Sequence, residues 1–179
     1  MRNGSFSAPA FALKSDHNFA GALMKRLTLV LCAGWLMFAG LAEAAAPGVQ
    51  LRSVKGEFTD VRDRVIMALE SRGLVVNYTA KVGDMLDRTG RDLGRDRRIY
   101  NNAEVLEFCS ASLSRDTMEA DPRNIVFCPY AIAVYTLPHT PGTVYLSYRV
   151  PAAQGSGQSI RALRAVEKLL AEVVGEALQ

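Results

Sequence analysis

The chain reads as an α+β domain. Three stretches say so: a strand that runs into a helix over residues 50–73, two late strands joined by a turn at Pro138–Gly142, and a strongly amphipathic helix near the C-terminus. Their order gives an open sheet with helices packed on one side.

A leader precedes the domain. Met24-Lys25-Arg26, the apolar run Leu27–Ala42 and the ending Ala42-Glu43-Ala44 supply the basic start, apolar core and small-x-small site of a secretory signal, so cleavage is predicted after Ala44. The run has 16 residues, short of the roughly 20 that a spanning helix needs. Cys32 lies inside the run behind the bulky Leu31, which argues against lipidation. Met1–Leu23 has no place in such a signal, and translation is expected to start at Met24. Residues 1–44 are thus leader and 45–179 one mature domain, periplasmic or secreted, with membrane contact only through the uncleaved signal.

Removal of the leader takes four of 21 basic and two of 18 acidic residues, which leaves 17 against 16. A net charge of +1 is no electrostatic footprint for nucleic acid. The remaining chain is long enough to bury a proper core.

Gln50–Phe58 alternates as a first strand. Thr59-Asp60 then opens a helix whose face is Val61, Val65, Ala68 and Leu69, with Gly73 closing it. Leu74–Thr79, β-branched and aromatic, is the second strand. Asp84–Arg98 is dense in charge. Asp84/Arg88, Asp87/Arg91 and Arg88/Asp92 are spaced four apart as on a helix surface, although Gly90 and Gly94 weaken that helix. The plainer reading is a solvated, self-paired helix and loop. The other is an anion patch of Arg88, Arg91, Arg95, Arg97 and Arg98.

Ala103–Cys109 is a strand, after which Ser110 or Ser112 caps a short helix that must stop before Asp121-Pro122. Tyr130–Leu137 is the next strand, Pro141-Gly142 suits a type II turn, and Thr143–Arg149 is the last strand. After a linker at Pro151–Gly157, the final helix presents Ile160, Leu163, Val166, Leu169, Leu170, Val173, Val174 and Ala177. Tyr130–Leu137 shows no clean alternation, which predicts that both its faces are covered. Helices supply one cover; the other needs more helices, a second copy of the protein or a ligand, and an open sheet with helices on one side leaves it to the last two.

Several strings in this order resemble the domain of unknown function 302 family: Val54-Lys55-Gly56-Glu57-Phe58 running into Val61-Arg62-Asp63, Gly73-Leu74-Val75-Val76, Val105-Leu106-Glu107-Phe108, Ala120-Asp121-Pro122 and Val144-Tyr145-Leu146-Ser147-Tyr148. The resemblance spans about Leu51–Arg149. It implies a curved, mainly antiparallel sheet of TATA-binding-protein-like type and a homodimer, and it implies no activity. Many members end soon after the last strand, so the helix over residues 158–179 reads as an addition. Cys109 and Cys128 stand outside the general pattern.

Chemistry is sparse. His139, in a loop between prolines, is the one histidine left after the leader, and it offers no positioned imidazole for a triad. No glycine-rich phosphate loop or Gly-x-Ser-x-Gly elbow appears, and no cofactor is called for. Cys109 and Cys128 read first as a disulfide, which closes a loop of about 20 residues and adds roughly 3 kcal/mol. Two buried thiols, a redox pair, or a Cu(I) site completed by Met85 or Met118 are the other readings. Glu107 either faces solvent or joins Tyr78, Tyr130 and Tyr148 around a small-molecule pocket on the sheet. These observations predict an exported, non-enzymatic small-ligand-binding or accessory module that forms a homodimer. The competing class is a periplasmic thiol-redox or copper-handling protein built on Cys109 and Cys128.

Overall fold

The computed structural model describes residues 48–179. The predicted leader, its cleavage site after Ala44 and Cys32 lie outside the described residues. Ten elements follow: β1 (Val49–Lys55), α1 (Phe58–Glu70), β2 (Val76–Ala80), α2 (Val82–Asp92), β3 (Asn102–Phe108), α3 (Ala111–Ala120), a 3-10 turn (Pro122–Phe127), β4 (Tyr130–Thr136), β5 (Thr143–Arg149) and α4 (Gly157–Ala177).

The sheet order is β1-β5-β4-β3-β2, and every neighbouring pair is antiparallel. The chain crosses from one edge to the other through α1. It then returns strand by strand until β5 closes against β1.

The alternation of β5 decides which side is covered. Val144, Leu146 and Tyr148 are buried, while Thr143, Tyr145 and Ser147 are half-buried. The buried set meets Leu106 and Phe108 of β3 and Tyr130, Ile132 and Val134 of β4, and α1 and α4 close over them with Val61, Val65, Leu69, Val166, Leu170 and Val173. Each fully buried aliphatic side chain there contributes about 1.5–3 kcal/mol. The final helix is thus integral to the core.

β4 shows why its sequence lacked alternation. Tyr130, Ile132 and Val134 face the helices, and Ala131, Ala133 and Tyr135, on the opposite face, are half-buried. Apolar residues stand on both sides, yet no residue of this second face belongs to the core.

The end of the sheet is fastened by caps and one buried amide. Ser110 Oγ accepts from the Leu113 N–H at 3.5 Å at the start of α3, and Asp121 Oδ1 accepts from the Arg123 N–H at 3.0 Å at the start of the 3-10 turn. Asn124 Nδ2 donates to the Thr117 carbonyl at 2.8 Å and to Ser159 Oγ at 2.9 Å, which joins α3, the turn and α4.

Candidate functional site

The two cysteines meet because the strands that carry them are neighbours. Cys109 follows the last residue of β3, Cys128 precedes β4 by two, and Phe108 pairs with Tyr130 in register. Both are thiols, with their sulfurs 3.7 Å apart. Ser114 Oγ lies 3.2 Å from Cys128 Sγ and donates to Tyr130 Oη at 3.5 Å. The Cys109 thiol is pushed up from its ordinary pKa, first by lost hydration, then by its hydrogen bond to Cys128 and by the charges of Cys128 and Glu107. Burial likewise raises the Tyr130 hydroxyl. A raised thiol is a poor nucleophile and a poor metal ligand.

Of the two methionines considered for a soft-metal site, Met118 is on α3, the helix whose Ser114 touches Cys128, and Met85 is on α2. α2 docks at the far end of β3, where Gly83 sits against Ala103, so Met85 is about 20 Å from Cys109 at ~3.3 Å per strand residue. Among the described residues no three His, Cys, Asp or Glu side chains are grouped to hold a metal ion. His139 is exposed in the β4–β5 loop, at the opposite end of the sheet from the cysteines.

The four residues expected to line one pocket divide between the two faces of the sheet. Tyr78 pairs with Glu107 across β2 and β3 on the face opposite the core, an open face in that no helix of the core covers it among the described residues, and Tyr78 is 61% exposed. Tyr130 and Tyr148 belong to the core, 3% and 8% exposed. The reason is parity: Tyr148 alternates with Val144 and Leu146, and Tyr130 with Ile132 and Val134, all of which point at the helices. The aromatic group that does form is Tyr135 stacked on Tyr145 with centroids 5.2 Å apart, and Tyr100 edge-on to Tyr135 at 5.4 Å. The cross-strand pairing Tyr135–Tyr145 builds it. Around it the open face carries Leu51, Val105, Ala131 and Ala133, with Glu107 and Arg149 towards one end.

A second concavity lies at the end of α2. Gly94, at φ +65°, takes the left-handed conformation that ends the helix, and its N–H reaches the Arg91 carbonyl at 3.1 Å. The Arg95 N–H then donates to the Gly90 carbonyl at 2.7 Å. A side chain at position 90 would meet Arg95 O at 2.8 Å, so glycine is required for this reversal. The returning arm is fastened by Arg98, whose Nε and Nη2 donate to Asp87 Oδ2 at 3.1 and 3.0 Å. Asp87 therefore pairs with Arg98 across the reversal and not with Arg91 four residues on. Arg88, Arg91, Arg95 and Arg97 have no ion-pair partner among the described residues, so the solvated helix and loop expected there form, but without the pairs four apart that the spacing suggested. Between helix and arm is a cleft of about 610 Å³ whose lining includes Leu86, Leu93, Ile99, Arg91, Arg95 and Arg97.

The geometry has counterparts in known proteins. A crystal structure of an uncharacterized conserved DUF302 protein from Bacillus stearothermophilus is similar to this chain, with a TM-score of 0.62 and 18% identity over 74% of this chain and 99% of that one. At that identity the likeness concerns the fold. No curated protein is significantly similar to the chain. Residues 49–178 match the family described as Domain of unknown function DUF302. The match extends past Arg149, where the short strings alone would end the family core, and takes in α4. With 49–178 matched, the chain belongs to the DUF302 family.

Proposed function

We propose that the mature chain is an exported, non-enzymatic binding or accessory module that works as a homodimer, with the open face of the sheet as its seam. The observation that carries this reading is β4: Ala131 and Ala133 are small, half-buried and flanked by Leu51, Val105 and the Tyr135–Tyr145 stack, outside the core that the helices cover. A face of small and aromatic residues suits close packing of a second sheet about 10 Å away. Export is supported by the signal pattern at Met24–Ala44. The 3.7 Å separation of the Cys109 and Cys128 sulfurs supports a structural bridge.

Sedimentation of the purified 45–179 chain tests the seam. The wild-type protein is expected to sediment as a dimer at micromolar concentration. Ala133→Arg is expected to give a folded monomer, because it places a charge at the centre of the interface. A wild-type monomer with no bound ligand refutes the proposal.

A further inference from the structure

We propose that the cleft at the end of α2 binds a phosphate monoester carried on an aliphatic chain. Three features of the cleft point to that ligand. Its arginines are unsatisfied: Arg98 is held by Asp87, while Arg91 of the helix and Arg95 and Arg97 of the arm make no ion pair among the described residues. Guanidinium groups present planar forks that match phosphate oxygens in pairs. Three such groups suit the three oxygens of a dianionic monoester better than the two of a carboxylate.

The same lining also carries apolar side chains, on both the helix and the arm. Leu93 is 68% and Ile99 49% exposed, and both line the same cleft as the arginines, as does Leu86. Single exposed aliphatics are ordinary; here three of them share one cleft with the arginines. The volume of about 610 Å³ falls within the range of small-molecule pockets. The cleft is also a built feature, because the Gly90 and Gly94 reversal and the two-bonded Arg98–Asp87 pair hold the arm before any ligand arrives. Asp96, which lines the cleft too, opposes an anion, and the three arginines outnumber it. The cleft does not rest on the dimer reading, although the arm continues from Ile99 into Tyr100, which meets Tyr135 of the proposed seam.

The test is an amide-resolved NMR titration of the 45–179 chain with decyl phosphate below its micelle concentration, with inorganic phosphate, and with a neutral decyl glycoside. Decyl phosphate is expected to shift the Gly90–Ile99 amides saturably and to bind roughly tenfold or more tightly than inorganic phosphate. Arg95→Gln with Arg97→Gln is expected to weaken decyl phosphate by roughly tenfold or more. Leu93→Ser should weaken decyl phosphate and leave inorganic phosphate unchanged. These residues are exposed, so the amide fingerprint of the core reports directly that each variant is folded. Vesicles of phosphatidylcholine doped with phosphatidic acid separate the sources: co-sedimentation assigns the site to a lipid headgroup, and binding of decyl phosphate without it assigns a free amphiphile. Absence of saturable shifts, equal shifts with the neutral glycoside, or unchanged affinity in the double arginine variant overturns the proposal.

Discussion

Cys109 and Cys128 stand with their sulfurs 3.7 Å apart, and lost hydration, then the neighbouring thiol, pushes the Cys109 thiol up, which disfavours the thiolate that attack needs. A bridge would close a loop between positions 19 apart, and chain entropy then gives roughly 3 kcal/mol. The exported protein is therefore expected to carry no free thiol. Replacing both cysteines by Ala should lower stability by roughly 2–5 kcal/mol in urea melts. Two fast-reacting thiols in the native, unreduced protein would count against the bridge. Asp121 carries a different residue-level prediction. The Arg123 guanidinium, followed by the Arg123 backbone N–H, holds its carboxyl down to about 2 from 3.8. A depressed acid contributes stability above its unfolded pKa and loses it as pH falls through the folded one. The 3-10 turn should thus weaken between about pH 4 and 2, and Asp121→Asn, which keeps an acceptor without the charge, should flatten that part of an acid titration followed by circular dichroism.

At the scale of elements, Asn124 is the fastening most open to test. Its buried amide satisfies the Thr117 carbonyl and Ser159 Oγ at once, so Asn124→Leu leaves both without their donor and is expected to cost about 1–3 kcal/mol. A urea midpoint within error of wild type would show that α4 is held by its apolar stripe alone. Elements of this kind were largely legible in the sequence. Ser110 and Asp121-Pro122 bounded α3 because capping and proline rules act within a few residues, and the stripe of α4 declared itself through its period. The strand set was legible too, but β4 hid its sidedness, since Ala131, Ala133 and Tyr135 are as apolar as the residues they alternate with. That is why Tyr130 and Tyr148 were grouped with Tyr78 and Glu107, although the parity of β5 already placed Tyr148 with Val144 and Leu146. The charged segment forms the expected helix but pairs differently, for another reason. Helical spacing offers only partners within one turn, whereas Arg98 reaches Asp87 through a reversal at Gly94 that spacing does not encode.

For the whole molecule, the register of the sheet makes the dimer proposal specific. Glu107 pairs with Ala131, and the ladder that sets Ile132 against Tyr148 puts Arg149 one step further, beside Ala131 on its other side. Glu107, Ala131 and Arg149 thus form a row across the open face, with acid and base about 4.8 Å to either side of β4. A two-fold axis parallel to β4 exchanges the two sides of that row, so each Glu107 stands over the partner's Arg149 and the pair recurs by symmetry. An axis perpendicular to the strands in the plane of the seam would instead set like strand over like strand. The first arrangement is the one that charge favours, since opposite charges in a drying interface fix register while like charges oppose it. Glu107→Arg and Arg149→Glu, each alone, are therefore expected to weaken the dimer by roughly tenfold or more, measured as the sedimentation dissociation constant. The double charge reversal should restore most of the loss, because it rebuilds both pairs with exchanged signs. If the two single changes weaken the dimer and their combination weakens it further, the charges act separately and the two-fold axis along β4 is wrong.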